Sequence, residues 1–180
     1  MHGIIHLELQ KFVIARHGEQ AWHELLVRAG LVDEIVTPLK VYPDEHIVRL
    51  VKGACEMTGV PAASLLEAFG EALVPTYLTL YGTLLKPEWR TLDVIEHTEE
   101  TIHRVVRLRQ PGAHPPRLRA QRIRRDEVIL TYDSPRKLCA VARGIARGLA
   151  SHFSERISID ESSCMHRGDA SCVIKFQQNT

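Results

Sequence analysis

Three polar side chains that alternate along a short stretch, Tyr132, Ser134 and Arg136, have types that could do chemistry together. They supply a phenol, a hydroxyl and a guanidinium, and a guanidinium binds a carboxylate through two parallel hydrogen bonds. Ser134 followed by Pro135 also predicts the start of a helix, whose N–H groups and dipole favour an anion. The stretch therefore predicts a clamp for a carboxylate or phosphate. The same residues also fit a helix cap, a core tyrosine and a surface arginine.

A histidine upstream of this clamp lies on the apolar side of a helix predicted over residues 89–108. At 100° per residue, His103 faces the same side as the large apolar residues, whereas His97 and Arg104 face solvent. Glu99 also falls on the apolar side and interrupts it. A buried imidazole needs partners for two nitrogens, so His103 is either a core histidine bonded to a carbonyl or a metal ligand. With an apolar cavity and a carboxylate clamp, such a ligand meets the needs of haem.

Three cysteines and a histidine in the last third of the chain form a second candidate site. Cys164 and Cys172 are separated by a turn and belong to a predicted β-hairpin, which would bring the two thiols together. Cys139 supplies a third thiol, and His166 lies within the turn. Three thiolates and an imidazole fit a tetrahedral zinc site. Three reduced thiols, two of them able to form a redox-sensitive pair, are the alternative.

The elements that must position these residues differ between the two halves of the chain. Apolar spacing, glycines and N-cap residues predict only helices in the first half, over residues 3–17, 19–28, 44–58 and 62–73 and in a short piece around 77–81. Residues 110–116, rich in proline, predict a rigid turn. Alternating apolar residues then predict strands over residues 118–121, 127–132, 157–163 and 171–177. The fold class is therefore α+β with an antiparallel sheet, in one domain over residues 1–180 with subdomains of roughly 1–85 and 86–180.

Composition narrows the class of protein. The 180 residues are 44% hydrophobic and 25% charged, as in one globular domain. There is no basic segment before the first apolar residues and no apolar run long enough to span a membrane, so we expect a cytoplasmic protein without membrane contact. A net charge of +1 argues against general nucleic-acid binding. Eight arginines and no acidic residue between positions 104 and 125 form a basic band that could meet a partner protein or a polyanion, or simply be solvated.

On several motifs the sequence resembles the haem nitric oxide/oxygen binding (H-NOX) family, which is related to the sensor domain of soluble guanylate cyclase. The resemblance covers the whole chain and is carried by Met1-His2-Gly3-Ile4-Ile5, the Phe69-Gly70 helix, Glu100-Thr101-Ile102-His103, Pro115-Pro116-Arg117-Leu118 and Tyr132-x-Ser134-x-Arg136. It implies a haem b group between the two subdomains. It also implies that His103 is the iron ligand and that Pro116 and Ile5 press on the porphyrin. The haem propionates would be held by Tyr132, Ser134 and Arg136.

The resemblance also implies a choice of ligand and a mode of action. The positions that match the distal side of the haem are Leu9, Leu73 and Val141, and none of them can donate a hydrogen bond to bound dioxygen. A ferrous haem here would bind nitric oxide, and carbon monoxide more weakly, while excluding dioxygen. Nitric oxide would weaken the bond from iron to His103, and the resulting shift would reach a separate effector, a histidine kinase or a cyclic-di-GMP enzyme. The chain would then be a sensor and not an enzyme.

Two other classes of function remain open. A zinc or thiol redox module, acting through protein contacts, is supported by the cysteines. Some members of the family resemble this chain in having three such cysteines, with a histidine as the fourth zinc ligand. The matching position here, three residues before Cys164, is Glu161, so the fourth ligand is Glu161, His166 or water. A haem enzyme of peroxidase type would need a distal acid or base, for which the sequence offers no candidate.

Overall fold

Six α-helices and four β-strands occur among residues 1–38, 40–109 and 112–179, which are the residues that the computed structural model describes. The helices are α1 (Gly3–Ala29), α2 (Asp44–Thr58), α3 (Ala62–Tyr81), α4 (Thr91–His97), α5 (Arg104–Arg109) and α6 (Cys139–His152). The strands are β1 (Arg117–Arg124), β2 (Glu127–Asp133), β3 (Arg156–Ser163) and β4 (Cys172–Asn179). The predicted α+β class is confirmed. The turn predicted over residues 110–116 begins at residues 110 and 111, which lie outside the described ranges.

The chain divides into two compact units, Met1–Phe69 and Gly70–Thr180. The boundary falls inside α3, and a single functional domain over residues 1–180 with a division near residue 85 stays a prediction. No described helix is both long and apolar enough to cross a bilayer.

The first unit is helical, and glycines set the limits of its helices. Gly18 adopts φ 83° and ψ 168° and kinks α1, at the position where the sequence predicts an interruption. Gly30 ends α1 and Gly59 ends α2, both in the left-handed conformation that glycine adopts without a steric penalty. The core of this unit is formed by the second part of α1 and by α2, through Trp22, Leu25, Ala29, Leu31, Ile47 and Leu50.

A buried histidine lies near the start of α1. His6 is 3% exposed, and neither of its ring nitrogens has a hydrogen-bond partner of normal geometry among the described residues. Its ring lies 5.2 Å from the ring of Tyr42 and 6.2 Å from that of His46, measured between centroids. Burial lowers the pKa of His6 to about 4, so the imidazole is neutral in the folded protein.

The second unit contains an antiparallel sheet of four strands in the order β1-β2-β4-β3. Side chains alternate between its faces, and the inward face carries Val128, Leu130, Tyr132, Cys172, Ile174 and Phe176, each 3% exposed or less. Residues of α4 and α6 share the same hydrophobic core. The four strands predicted from the sequence are all present.

Helix α4 is attached to the sheet by charged side chains. The Arg122 guanidinium on β1 donates to the carboxylates of Asp93 and Glu96, each at 2.7 Å. At the start of the helix, Asp93 accepts the Arg90 N–H at 2.9 Å, and the Thr91 N–H donates to Glu155 at 3.1 Å. Both turns of this short helix are therefore held in place.

Helices α3 and α6 approach each other through glycines. A Cβ atom added to Gly70 would lie 2.4 Å from the carbonyl oxygen of Val141 and 3.0 Å from the Cα of Gly144. A Cβ on Gly148 would lie 2.6 Å from Val74 and 2.9 Å from the carbonyl oxygen of Glu71. Because the backbones are this close, no larger residue fits at either glycine without movement of a helix.

The prediction that a helix begins at Ser134 is wrong, since α6 begins at Cys139. The Ser134 hydroxyl accepts the N–H of Arg136 at 3.3 Å, and the Lys137 N–H donates to the Ser134 carbonyl at 3.0 Å. These bonds close a local turn, and Lys137 then takes φ 52°, which a helix does not allow. Serine followed by proline has here formed a turn in place of a helix cap.

Candidate functional site

The segment that carries His103 is not the single regular helix that the sequence predicts. After α4 the chain forms a π-helical turn over Glu99–His103, and α5 follows directly. The His103 N–H bonds to the carbonyl of Thr98, five residues earlier, at 3.0 Å. Turns of this kind are rare and are frequent at functional sites. His97, which is predicted to face water, is half-buried, and its ring packs edge-on against Trp89 at 4.6 Å between centroids.

The imidazole of His103 is largely buried and hydrogen-bonded through one nitrogen. Its side chain is 14% exposed, and Nδ1 lies 3.1 Å from Oε2 of Glu99. Burial lowers the pKa of His103, while Glu99 and the backbone of Pro116 oppose this effect. The neutral imidazole is therefore favoured at neutral pH. In the tautomer that donates Nδ1–H to a carboxylate, Nε2 carries the lone pair that binds a metal.

Glu99, which interrupts the apolar stripe in the sequence, has three hydrogen-bond donors in the structure. Besides His103, the N–H of Leu118 donates to Oε2 at 3.1 Å, and the Arg107 guanidinium donates to Oε1. Burial alone would raise the pKa of Glu99, but these donors lower it below its ordinary value. The inward position of this acid is thus explained by its bonds to the histidine, to α5 and to β1. Its spacing of four residues from His103 is the sequence signal that could have revealed the pair.

The three residues of the predicted clamp meet where β2 ends. Tyr132 and Ser134 are each 3% exposed, and burial raises the pKa of Tyr132 to about 12. The Arg136 guanidinium donates to the carbonyl of His114. This bond connects the clamp to the Pro115-Pro116 stretch, and the backbone of Pro116 in turn acts on His103. The dipole of a helix beginning at Ser134, which was expected to strengthen the clamp, does not act here, because α6 begins only at Cys139.

The positions matched to the two faces of the haem lie in both units. Leu73 is 1% exposed in α3, Val141 is half-buried in α6, and Pro116 precedes β1. Ile5 and Leu9 lie half-buried on α1 in the first unit, where Leu9 packs against the core that contains Trp22. Their roles towards a haem remain predictions.

The predicted thiol site forms a compact cluster. Ligand atoms of Cys139, Glu161, Cys164 and Cys172 all lie within 4.8 Å of one another. The Sγ of Cys164 is 3.8 Å from that of Cys139 and 3.7 Å from that of Cys172, and all three are free thiols. Of the two candidates for a fourth ligand, the structure brings Glu161 to the thiols. His166 is exposed, and its Nε2 lies 2.7 Å from the carbonyl oxygen of Lys137.

A cation that the sequence analysis did not single out borders this cluster. The Arg143 guanidinium lies 2.8 Å from Oε1 of Glu161 and 3.8 Å from Sγ of Cys139. Burial raises the pKa of Cys139 and of Cys172, so both thiols are protonated at neutral pH. A bound metal ion would favour the thiolates instead. Arg143 lies one helical turn after Cys139, which is the spacing that could have pointed to it.

Comparison with known proteins identifies the class of protein to which this chain belongs. A family model described as Haem-NO-binding matches residues 2–161. The chain belongs to this family, the H-NOX proteins, whose members bind haem and sense nitric oxide and other gases.

Solved structures and a longer protein are similar to the chain. An H-NOX protein from S. oneidensis in the Fe(II)NO ligation state is 26% identical with a TM-score of 0.93, and the match covers 100% of both chains. The unliganded Fe(II) H-NOX protein from K. algicida, 20% identical with a TM-score of 0.91 over 100% of this chain and 97% of that one, shares the fold. The soluble guanylate cyclase gcy-31 of Caenorhabditis elegans is 22% identical over 139 residues, which are 76% of this chain. The matched stretch is about a fifth (20%) of that cyclase.

Proposed function

We propose that this chain is a sensor that uses haem b to bind nitric oxide, and carbon monoxide more weakly, and that it signals to a separate effector. The observation that carries the proposal is His103, a largely buried imidazole whose Nδ1 is bonded to Glu99 within a chain of the H-NOX family. The similar S. oneidensis proteins are described in Fe(II)NO and Fe(II)CO states, which supports these two ligands.

His103 and the polar residues at the end of β2 are the groups that would hold a haem. His103 would bind the iron through Nε2, and Arg136, Tyr132 and Ser134 would hold the propionates. Ile5 and Pro116 would contact the porphyrin. The haem would supply a ferrous iron able to bind diatomic gases. The protein residues would exclude water from that iron and fix its orientation.

Selectivity against dioxygen would come from the residues above the iron. Leu9, Leu73 and Val141 have only hydrocarbon side chains. Bound dioxygen carries partial negative charge and needs a hydrogen-bond donor, whereas nitric oxide does not depend on one. We therefore infer that the protein discriminates between the two gases by the absence of a donor at these positions.

Signalling would begin at His103. Loss of the bond that His103 would make to iron would free the segment after Thr98, which Glu99 attaches to the sheet, to shift against that sheet. An effector that binds one of the two arrangements better than the other would sense this change. A histidine kinase or a cyclic-di-GMP enzyme is the proposed effector.

The test is the absorption spectrum of the purified protein and of His103→Ala. We expect the wild type to carry haem with a ferrous Soret band that shifts with nitric oxide and is unchanged in air. His103→Ala should lose the haem unless imidazole is supplied, while His23→Ala, at an exposed histidine of α1, should retain it. Full haem occupancy with an unchanged spectrum in His103→Ala would refute the ligand. A stable dioxygen adduct would refute the selectivity, and rapid turnover of peroxide would favour a haem enzyme.

A second function, zinc binding, is favoured by the cluster of Cys139, Cys164, Cys172 and Glu161. Three thiolates and a carboxylate fit the tetrahedral geometry of structural zinc. We expect close to one zinc per chain by elemental mass spectrometry, with loss of zinc and retention of haem in Cys164→Ser. Cys55→Ser, at a thiol outside the cluster, is the control. Zinc-free wild-type protein that forms a disulfide within the cluster on mild oxidation would support the redox alternative instead.

A further inference from the structure

Glu99 connects three separate parts of the second unit. One carboxylate oxygen, Oε2, receives Nδ1 of His103 and the N–H of Leu118, both at 3.1 Å. The other oxygen receives the Arg107 guanidinium. The carboxylate is thus held by an imidazole, a strand and a cation at once, and it cannot turn towards solvent without breaking all of these bonds.

The pair of Glu99 and His103 is partly shielded from water. The side chain of Glu99 is 29% exposed and that of His103 is 14% exposed. At such sites an interaction between a charge and a dipole is stronger than it is at the open surface, because less water screens it. A carboxylate bonded to the far nitrogen of a metal-binding imidazole makes the near nitrogen a stronger base and therefore a stronger ligand.

Arg107 limits this effect. Its guanidinium bonds to the same carboxylate and draws negative charge away from the oxygen that faces His103. The N–H of Leu118 donates a hydrogen bond to that oxygen as well. The histidine therefore has a partner of intermediate strength, between a free carboxylate and a neutral carbonyl.

We propose that Glu99 is a positioning residue that sets the strength of the bond between His103 and iron, with Arg107 opposing it. This inference rests on the proposed haem site, since it concerns the ligand of that site. A strong partner on Nδ1 makes release of the histidine harder, and a weak partner makes it easier. The three contacts of Glu99 thus determine how readily nitric oxide triggers the response.

The experiment compares resonance Raman spectra of ferrous, unliganded holoprotein in the wild type and in Glu99→Gln. The glutamine keeps the length and an acceptor oxygen but removes the charge. We expect the stretching frequency of the iron–histidine bond to fall in Glu99→Gln, and the nitric oxide complex to lose the histidine faster, on the order of tenfold. Glu96→Gln, which neutralises a carboxylate on α4 that pairs with Arg122, is the matched control and should leave the frequency unchanged.

The outcomes are distinguishable. An unchanged frequency in Glu99→Gln, or an equal shift in Glu96→Gln, would overturn the inference while leaving the haem site intact. Wild-type protein without an iron–histidine band would overturn the proposed function as well. If Glu99→Gln does not fold, Arg107→Gln decides the matter. It keeps Glu99 and removes the opposing cation, so a rise in frequency supports the inference, and a fall or no change overturns it.

Discussion

At the scale of residues, the candidate site is a set of polar groups held by one another. Arg136 donates to the carbonyl of His114, so its guanidinium is already oriented in the absence of a ligand. An oriented guanidinium loses little freedom when it binds a carboxylate, and a charge-assisted bond contributes more than a neutral one. The clamp should therefore depend on Arg136 more than on the tyrosine or the serine.

Arg136→Ala should weaken haem affinity by about 1 to 3 kcal/mol, the range for a hydrogen bond to a charged group. The measurement is competition for haem with a second haem-binding protein of known affinity. Arg119→Ala removes an exposed arginine of β1 and serves as the control. Equal affinities in the wild type and in Arg136→Ala would remove the arginine from the clamp.

The sequence predicts the identity of the important residues better than it predicts their partners. The inward position of His103 follows from helical periodicity, but its bond to Glu99 depends on a π-helical turn that no local propensity specifies. The bond of Glu99 to Leu118 joins positions 19 residues apart, and such contacts are not encoded in spacing. The bond of Arg143 to Glu161 is likewise not encoded in spacing, since it joins positions 18 residues apart.

At the scale of elements, the packing of α3 on α6 is the most sensitive feature of the second unit. The two helices approach through Gly70 and Gly148, where an added methyl group would meet backbone atoms. Backbone atoms yield less readily than the ends of flexible side chains, so the cost of a larger residue cannot be relieved by a change of rotamer.

Gly70→Ala should lower the free energy of unfolding by about 1 to 3 kcal/mol, as expected for overpacking. Urea denaturation measures it. Gly82→Ala is the control, because a Cβ at Gly82 would meet no atom within 4 Å among the described residues beyond its neighbours in the chain. The control should change stability by no more than about 0.5 kcal/mol. If both variants were equally stable, the close approach of the two helices would not be what excludes a side chain.

Helix and strand boundaries could be predicted where a single local rule acts. Gly18, Gly30 and Gly59 marked a kink and two helix ends, and the alternation in β4 marked a buried strand. The rule failed at Ser134, where the hydroxyl closes a turn with Arg136 in place of capping a helix. Both uses of serine satisfy the same N–H groups, and the sequence does not distinguish them.

At the scale of the whole molecule, charge is more balanced than the basic band suggests. Of its eight arginines, Arg107, Arg122 and Arg124 each lie within 4.0 Å of a carboxylate. Part of the band therefore pairs with acidic residues of the same unit, and Arg122 attaches α4 to the sheet. This agrees with a net charge of +1.

Acid should destabilise the protein through His6. Its pKa is about 4 in the folded state against an ordinary value of 6.5. Between these two pH values His6 therefore binds a proton in the unfolded chain but not in the folded chain. The contribution of His6 to the free energy of unfolding is therefore fully present above pH 6.5. It falls as the pH drops from 6.5 to 4 and does not change further below pH 4. A pKa shift of this size corresponds to a change of about 3 kcal/mol in the free energy of unfolding.

The measurement is the free energy of unfolding in urea across that pH range, in the wild type and in His6→Leu. The variant should have a shallower slope between pH 6.5 and pH 4, because leucine does not titrate. His23→Leu, at an exposed histidine, should keep the slope of the wild type. Identical slopes in all three proteins would show that another group causes the loss of stability.

The attachment of α4 by Arg122 has a mechanical consequence. Both turns of α4 are fixed to the rest of the second unit, so this helix is the fixed point about which the next segment can pivot. The arm that begins after Thr98 carries His103 close to this pivot and α5 farther from it. A small displacement at the histidine is then magnified along α5 towards Arg109. An effector protein that touched the far end of this arm would undergo a larger movement than the one at His103.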